Sequence, residues 1–581
     1  MTFVPALMVM FVRGKIVPEH RNPINRFLIW IYRPVIKGVL RAKTVVILLS
    51  LAVLAVTIWP ARQLGTEFMP NLNEGTLLYM PTTLPGISVT KAAELLQMQD
   101  RIIRSFPEVA SVFGKAGRAS TATDPAPSEM FETIVNLKPK EQWRSGVTVD
   151  SLIAEMDKAL QFPGVSNAWT MPIKARIDML STGIRTPVGV KVIGTDLVEI
   201  DRLAKQIEQV LKAVPGTSSA YAERGIGGYY LDVTPDREAL ARYGIMVQDV
   251  QDVIATALGG QTVTTTVEGR QRFSVNMRYP RDLRDNPQAI ANDVLVPMPA
   301  GGAVPLGEVA KVEPARGPTS IRTENGQLAT YIYVDIRDRD LGGYVADAQA
   351  AVEASIRFSP GYYVVWSGQY EYMQRAAARL KIVVPVTLTI IFLLLYLNFR
   401  SIMETAIVML SLPFALVGGL WMMWWLDFNL SVAVVVGFIA LAGVAAETGV
   451  VMLIYLNHAL ADMKAKRSAE GRPLTRQDLH GAIMEGAVER VRPKMMTVTA
   501  IMAGLLPIMW STGTGSEIMQ RIAVPMIGGM ISSTLLTLIV IPAIYGLING
   551  FRLPSGDGGA PQPPVRREET VVRARIPEPA E

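Results

Sequence analysis

The stretch that decides the fold is residues 429–456, NLSVAVVVGFIALAGVAAETGVVMLIYL, which contains one residue that is charged at neutral pH, Glu447. A helix needs about 20 apolar residues to cross a hydrocarbon core of roughly 30 Å, so this run is long enough to span a bilayer. A carboxylate inside such a helix costs about 2.5–3.5 kcal/mol even on the lenient insertion scale. This cost favours a proton carrier over a Glu that only satisfies a polar pocket against a neighbouring helix.

The composition indicates a membrane protein with a large polar part. The 581 residues are 50% hydrophobic, carry a formal net charge of +6, and include no Cys, three His and 28 Met. Without Cys there are no disulfides or thiolate metal sites, whereas the Met thioether is a soft ligand suited to Cu(I). The basic residues lie beside apolar runs, which favours a membrane surface over nucleic acid. The sequence shows no nucleotide loop, catalytic triad or hydrolytic metal cluster that would indicate an enzyme.

Six apolar runs are predicted to be complete transmembrane spans: 44–60, 382–399, 402–426, 429–456, 495–510 and 522–548. Residues 1–43 are expected to hold the end of a truncated helix, over the first twelve residues, and then a cytoplasmic interfacial helix on membrane lipid. Arg400 and the basic connection 458–492 belong to the cytoplasm by the positive-inside rule, which places the large polar domain in the periplasm. Residues 380–550 thus hold five spans, and 551–581 are expected to be a disordered cytoplasmic tail.

The polar domain between residues 61 and 379 shows a repeated strand and helix order. GTLLYMP, helix 89–105, VASVFG, MFETIVNLKP, helix 149–160 and SNAWTMP follow a β-α-β-β-α-β pattern, the split βαβ signature. This first subdomain covers 61–167. The second, 168–223 and 328–379, begins at VGVKVIG and resumes at TYIYVDIRD after an insertion, 224–327, in which Glu268-Gly269 predicts a β-hairpin. The predicted fold class is an α-helical bundle of six spans and the end of a seventh, with a large α+β periplasmic domain of ferredoxin-like subdomains.

This organisation resembles one half of a resistance-nodulation-division (RND) transporter. The chain is similar, up to about Leu553, to the C-terminal half of the CusA-type heavy-metal efflux pumps, through NEGTLLYMPTTLPGIS, VFGKAGRASTATDPAPSEMFET, RIDMLSTGIRTPVGVKV, FIALAGVAAETGVVML, VRPKMMTVTAIMAGLLPI and GSEIMQRIAVPMIGGM. The resemblance implies a proton-driven inner-membrane permease that exports Cu(I) or Ag(I), with no permanently bound cofactor. It also implies a homotrimer of the complete pump, a periplasmic adaptor protein, and an outer-membrane channel that docks on the insertion.

The resemblance assigns a proton relay to Glu447 and Lys494. Glu447 falls on the family's acid in the tenth helix of a complete pump, and Lys494 falls on its basic partner in the eleventh. From the residues alone, Lys494 is a positive-inside flank. Protonation of the acid would remove its attraction to Lys494 and let the helices repack. The family also uses an aspartate in the fourth helix, which lies in the other half, so a separate N-terminal half is an expected partner if the pump is split.

Three methionines, Met80, Met130 and Met179, are the predicted metal ligands, each in or beside a predicted strand. From spacing alone they are ordinary core methionines. The resemblance implies that they meet as a three-thioether site in the cleft between the porter subdomains, where soft sulfur selects Cu(I) and Ag(I) over Zn(II). Four further residues match the metal path, although the charged ones have an equally good interpretation as surface charges: Glu132, Asp178, Arg185 and Met519.

Two alternatives stay open at this point. One is an RND pump for another cation or for organic substrates, which would not need the methionine trio. The other is a non-transporting metal-binding remnant of a truncated pump gene. A half-bundle would expose the face that packs on a partner half, and this face is expected to include Gly443, Ala445 and Ala446, which are small enough for close helix contact.

Overall fold

The computed structural model describes residues 23–70, 72–117, 126–318, 320–551 and 553, which divide into two compact units. The first, here called the helical unit, takes the described chain up to residue 73, Arg339–Gly343, and the chain from Gln369 onwards. The second, the α/β unit, comprises Glu74–Asp338 and Tyr344–Gly368. Each unit has its own buried apolar clusters.

Two helices open the helical unit, α1 (Pro23–Arg41) and α2 (Lys43–Gln63). α1 is amphipathic: Tyr32 and Ile36 are buried in the core of the unit, whereas Phe27 and Trp30 are exposed. The Tyr32 hydroxyl donates to the Leu538 carbonyl at 2.6 Å, which ties this helix to the bundle. The predicted interfacial helix is therefore a helix over Pro23–Arg41, and the expectations for residues 1–22 lie outside the described residues.

The α/β unit begins with a four-stranded antiparallel sheet. Its elements are β1 (Thr76–Tyr79), α3 (Val89–Arg104), β2 (Val109–Ala116), β3 (Phe131–Leu137), α4 (Val149–Ala159) and β4 (Trp169–Thr170). The strands lie in the order β2-β3-β1-β4. Ile103 of α3 and Leu152 of α4 pack on Leu77, Tyr79 and Val135 of the sheet. The order of elements agrees with the predicted β-α-β-β-α-β pattern.

A helix that the sequence analysis did not predict follows β4. This helix, α5 (Pro172–Thr182), shortens the predicted strand SNAWTMP because Pro172 is a favoured first residue of a helix. Its backbone N–H groups at Ile173 and Lys174 each donate to the Glu74 carboxylate at 2.9 Å. That carboxylate satisfies two of the free amides at the helix start and complements the helix dipole. Met179 therefore lies on a helix, and not in or beside a strand as predicted.

The second sheet is assembled from two separated parts of the chain. The elements in chain order are β5 (Val188–Gly194), α6 (Leu197–Lys212), β6 (Thr217–Ala222), β7 (Ile226–Pro235), α7 (Arg237–Tyr243), α8 (Val247–Val253), β8 (Gln261–Glu268), β9 (Gln271–Met277), α9 (Pro287–Asp293), β10 (Leu295–Pro297), β11 (Ala303–Pro305), α10 (Leu306–Val309), β12 (Ala310–Pro318), β13 (Arg322–Glu324), β14 (Gln327–Ile336), α11 (Leu341–Ser355) and β15 (Tyr363–Gly368). β14 pairs with β5 and β6, and β15 pairs with β5. β5 is buried along its whole length, as expected of a central strand.

The insertion between β6 and β14 has its own small core. Six of its strands form three antiparallel pairs, β7 with β12, β8 with β9, and β10 with β11, whereas β13 pairs with β14 of the second sheet. Glu268 faces Gln271 across the β8–β9 turn, and Gly269 takes the left-handed backbone conformation, with φ +61°. The predicted hairpin is therefore confirmed. Both of its strands are exposed along their whole length.

Five helices complete the helical unit. They are α12 (Gln369–Phe399), α13 (Ile402–Trp425), α14 (Val432–Ala469), α15 (Arg476–Leu505), which continues into a 3-10 helix, Leu506–Trp510, and α16 (Ser516–Gly550). Within the described residues, α2, α12, α13, α14 and the continuous α15 are long and apolar enough to cross a membrane. α16 bends by 40° between Ser516–Leu535 and Thr537–Gly550, and it adds a sixth span if both segments count as one.

The polar connection predicted over residues 458–492 is mostly helical. α14 continues past Leu456 to Ala469, and α15 starts at Arg476. Thr475 caps α15: its hydroxyl accepts from the Asp478 N–H at 3.3 Å, and the Asp478 carboxylate accepts from the Thr475 N–H at 3.0 Å. Hydropathy marks the apolar part of a helix, whereas caps such as this one decide where the helix begins.

α14 approaches α16 closely at Gly437. A Cβ atom added at Gly437 would lie 2.5 Å from the Ile522 carbonyl oxygen and 2.7 Å from the Pro525 Cγ. Only a glycine allows this approach of the two backbones. Further along the same helix, a Cβ atom added at Gly443 would meet nothing within 4 Å.

Three chain segments meet just before α14. Thr66 forms a parallel β-bridge with Leu430, and the Glu67 N–H donates to the Leu430 carbonyl at 3.0 Å. The Asp340 carboxylate accepts from the Thr66 N–H at 2.9 Å and from the Gly343 N–H at 2.8 Å. We call residues 65–67, 340 and 429–430 the clasp. The clasp fixes the start of α14 to the segment after α2 and to residues 339–343 of the same unit.

Candidate metal site and proton relay

The three predicted methionines meet in one apolar cluster of the α/β unit. Met80 follows β1, Met130 precedes β3, and Met179 lies on α5. Met80 is 1% exposed, Met130 is 6% exposed, and Met179 is partly buried. Backbone pairing holds the first two, because the Met80 N–H donates to the Ala168 carbonyl at 2.8 Å and Met130 forms a β-bridge with Thr82. Residues from three separate segments thus share one packed site.

Two cavities adjoin this cluster, and Met179 lines both. The first, of about 130 Å³, is lined by Met130, Met179, Arg176 and Arg185 among others. The second, of about 240 Å³, is lined by Met80, Met179, Arg176 and Glu132 among others. No group of three His, Cys, Asp or Glu side chains able to hold a metal ion occurs in the described part of the chain. The donors that the structure gathers here are therefore thioethers, which suit soft monovalent cations.

Arg185 lies directly against Met130. The side chain is 7% exposed, and its Nη1 donates to the Met130 Sδ at 3.2 Å. Its Nη2 donates to the Thr82 Oγ1 at 2.7 Å, and its Cζ lies 4.1 Å from the centroid of the Tyr333 ring. Arg185 is therefore built into the wall of the first cavity and is not an ordinary surface charge.

The other two charged candidates have different surroundings. Glu132 lines the second cavity and forms an ion pair with Lys115 at 3.0 Å. Asp178 is buried on α5 and is not among the residues that line either cavity. Burial lowers the pKa of Lys174, and the charges of Asp178, Asp335 and Glu74 act in the opposite direction. The Asp178 carboxylate thus interacts electrostatically with the Lys174 ammonium.

The fourth predicted methionine belongs to the helical unit. Met519 lies in the first turn of α16 and is exposed. The cluster formed by Met80, Met130 and Met179 is internal to the α/β unit. The structure therefore gives Met519 no part in that cluster.

Glu447 and Lys494 lie on two neighbouring helices, α14 and α15. Glu447 is exposed, whereas Lys494 is 1% exposed and its Nζ has no hydrogen-bond partner. Among the described residues, no ion pair joins these two side chains. A buried ammonium without a hydrogen-bond partner is costly, so a carboxylate within hydrogen-bond reach of Lys494 would stabilise its charge.

An exposed face of α14 carries Glu447. On α14, Val436 and Gly443 precede Glu447 at helical spacing and are exposed. Ala445 and Ala446 are 1% and 8% exposed and pack inside the bundle, so their predicted place on the exposed face is wrong. The helical period explains the burial of Ala445, which lies two residues from both Gly443 and Glu447 and so points away from them, whereas Ala446 lies at the buried edge of their face.

On α15, five exposed positions are small or flexible. They are Met496, Thr497, Ala500, Ala503 and Gly504. A Cβ atom at Gly504 would meet nothing within 4 Å. Small residues of this kind allow close approach of another helix in a membrane.

Residues 1–549 match the AcrB/AcrD/AcrF family. The chain belongs to this family. The AcrB/AcrD/AcrF proteins are RND transporters and not enzymes, which confirms both the expected superfamily and the expected absence of an enzymatic role.

Named relatives and a solved structure agree with this membership. The AcrB/AcrD/AcrF-family chain is 52% identical over 547 residues to the cation efflux system protein CusA of Escherichia coli (strain K12), covering 94% of this chain and 52% of that protein. It is 51% identical over 547 residues to the putative cation efflux system protein SilA of Salmonella typhimurium, with the same coverage. An X-ray crystal structure of a heavy metal efflux pump matches with a TM-score of 0.81 and 31% identity, over 90% of this chain and 53% of that one. The chain spans about half the length of the curated relatives it matches.

Three residues around the methionines of this AcrB/AcrD/AcrF-family chain were not predicted from its sequence. Thr82 lies two residues after Met80, so the period of a strand would have placed both on one face. Arg176 lies three residues before Met179, but α5 itself was not predicted. Tyr333 sits in the middle of β14, far away in sequence, and no local signal connects it to the site.

Proposed function

We propose that this chain is the C-terminal half of the permease of a proton-driven Cu(I)/Ag(I) efflux pump. The proposal depends chiefly on one observation: Met80, Met130 and Met179 pack together beside two cavities. Thioether sulfur prefers Cu(I), and by the same softness Ag(I), over harder divalent ions. The names of CusA and SilA, cation efflux system proteins, support a cation as the transported substrate.

The geometry suggests how the cation would be handled. Methionine side chains are flexible and polarizable, so a thioether can follow a moving ion. Because Met179 lines both cavities, it can serve as a ligand together with Met130 on one side and Met80 on the other. Glu132 lines the second cavity and can compensate the charge of the cation there, whereas the three thioethers are neutral.

Silver titration of the full chain in detergent tests the metal site. Leucine resembles methionine in volume and apolarity but has no sulfur, so Met80→Leu/Met130→Leu/Met179→Leu should fold and lose Ag(I) binding. A matched control replaces three other buried methionines by leucine: Met156, Met423 and Met530. This control should bind Ag(I) like the wild type. Equal Ag(I) binding by the first triple variant would refute the site.

We propose that Glu447 and Lys494 form the proton relay of the complete pump. Lys494 is buried and its Nζ has no hydrogen-bond partner, so contact with the Glu447 carboxylate in the assembled pump would stabilise its charge. A proton that neutralises this carboxylate weakens the attraction, and each proton that crosses the membrane supplies about 2.3 kcal/mol per 100 mV. The exposed small residues of α14 and of α15 are where a separate N-terminal half would pack, because they allow close helix contact.

Proteoliposomes that contain the chain and a matching N-terminal half test the relay. Glu447→Gln keeps the shape and removes the proton site, so it should abolish efflux driven by a pH gradient and leave Ag(I) binding intact. Lys494→Met should behave in the same way. Efflux at the wild-type rate from Glu447→Gln would make Glu447 a structural residue.

The remaining features of the complete pump belong to the same proposal. They are six spans in an inner membrane, two ferredoxin-like porter subdomains, a homotrimer, and an insertion that docks an outer-membrane channel with the help of a periplasmic adaptor. A metal-sensitive strain that carries this chain alone should gain no copper or silver resistance, whereas a co-expressed N-terminal half should restore it. If resistance is absent even with a well-expressed partner, the chain is a metal-binding remnant.

A further inference from the structure

We infer that Arg185 controls which metal ions bind at the methionine site. Its guanidinium is hydrogen-bonded to the Met130 thioether until a metal ion displaces the guanidinium, and its charge favours monovalent over divalent ions. The inference rests on the proposed function, since it concerns the same thioethers. The observation behind it is the contact between the Arg185 Nη1 and the Met130 Sδ, at 3.2 Å. The sulfur lone pair that would bind the metal is the acceptor of this hydrogen bond.

The surroundings of Arg185 are unusual for a buried cation. Its contacts are a thioether, the Thr82 hydroxyl and the face of the Tyr333 ring, all of which are neutral. Its Nε has no hydrogen-bond partner, and no carboxylate of the described residues forms an ion pair with it. A buried charge normally has an ionic partner, because desolvation is costly. A guanidinium kept here without one is poorly explained as a structural brace.

A metal ion and Arg185 cannot both bind Met130 favourably. Two positive charges on one sulfur repel each other, and the repulsion is stronger at a buried position than in bulk water. The ion must therefore move the guanidinium away from Met130, and the adjoining cavity of about 130 Å³, which Arg185 lines, gives it room. Arg185 thus lowers the affinity of the site and keeps Met130 hydrogen-bonded while no metal is present.

The same charge also separates ions by valence. Coulomb repulsion is proportional to the charge of the ion, so a soft divalent ion such as Cd²⁺ meets twice the repulsion that Ag⁺ meets at the same position. Removal of the charge should then raise the affinity for Cd²⁺ by about the square of the factor for Ag⁺. Thioethers select for softness, whereas Arg185 selects for a single charge.

Titrations of the full chain in detergent with Ag⁺ and with Cd²⁺ test the inference. Arg185→Gln should bind Ag⁺ at least about tenfold more tightly than the wild type and Cd²⁺ about a hundredfold more tightly. Arg185→Lys, which keeps the charge, should change both affinities much less. The matched control is Arg176→Gln, because Arg176 lines both cavities but is exposed and donates no hydrogen bond to the methionines. It should raise the Ag⁺ affinity less than Arg185→Gln does.

The outcomes separate this inference from the proposed function. If the wild type binds Ag⁺ through the three methionines and Arg185→Gln binds it no more tightly, the inference fails and the proposed function stands. If neither protein binds Ag⁺, both fail. Equal gains for Ag⁺ and Cd²⁺ would overturn selection by charge. If Arg185→Gln does not fold, Thr82→Val is the test, because it removes the hydrogen bond that holds the Arg185 Nη2 and keeps the charge. This variant should raise the Ag⁺ affinity over the wild type by less than the roughly tenfold expected for Arg185→Gln, and an unchanged Ag⁺ affinity would overturn the inference.

Discussion

Replacing Gly437 by alanine should destabilise the helical unit, whereas the same change at Gly443 should stabilise it slightly. Both residues lie within α14, so the gain in helix propensity, about 1 kcal/mol, is the same for the two changes. At Gly437 the new methyl would lie 2.5 Å from the Ile522 carbonyl oxygen, closer than the 3.0 Å that real Cβ atoms keep. At Gly443 it meets nothing within 4 Å.

The size of the effect follows from what has to move. The Ile522 oxygen belongs to the backbone of α16, so relief of the clash must separate two helices by at least half an ångström. Overpacking of this kind costs about 1–3 kcal/mol, and a clash with backbone belongs at the upper end of that range. After the propensity gain, Gly437→Ala should lose about 2 kcal/mol of stability, whereas Gly443→Ala should gain up to about 1 kcal/mol.

Thermal unfolding of the full chain in one detergent, followed by tryptophan fluorescence, measures the difference. Trp421 and Trp424 lie near the end of α13 and report on the helical unit. The two variants should shift the midpoint temperature in opposite directions from the wild type. Shifts of the same sign and size would refute the close approach of α14 and α16 at Gly437.

Two further predictions concern charges in the α/β unit. Burial raises the pKa of Asp335 to about 6, so its stabilising contribution is present below pH ~4 and is lost as the pH rises through 6. Asp335→Asn should therefore raise stability at pH 8 by up to about 3 kcal/mol and change it little at pH 4. Thermal unfolding at the two pH values measures this difference, and an equal change in stability at both would contradict the prediction. Glu208 is buried and forms ion pairs with Lys212 at 2.6 Å and Arg224 at 2.8 Å. Glu208→Gln should cost about 3 kcal/mol or more in urea unfolding, and an unchanged midpoint would show that the pairs are dispensable.

The sequence predicted those parts of the fold that have local signals. Apolar runs marked α2 and α12 to α16, and alternation with turn residues marked the strands and the Gly269 hairpin. The ends of α14 and α15 could not be predicted from hydropathy, because charged residues continue a helix beyond its apolar part. α5 escaped prediction because it is short and its start depends on Glu74, which is distant in sequence.

The candidate site was predictable only in its metal donors. The resemblance of the motifs to a family indicated Met80, Met130 and Met179, and the structure packs them together. The contacts of Arg185 with Thr82 and Tyr333 depend on how three separate segments pack, and no spacing in the chain encodes them. The exposed face of α14 was predicted in part: Gly443 lies on it, but Ala445 and Ala446 do not.

The clasp at the start of α14 has a mechanical consequence. α14 is a single helix of 38 residues without proline, which at 1.5 Å per residue makes a rod of ~57 Å. Glu447 stands ~22 Å along this rod from Val432, and Ala469 stands at its far end. With the clasp as fulcrum, a tilt of ~5° moves Glu447 by ~2 Å and Ala469 by ~5 Å. A sideways force on Glu447 therefore exerts a torque on the clasp at Thr66 and Asp340. The end of α14 at Ala469 moves more than twice as far as Glu447, by ~5 Å against ~2 Å.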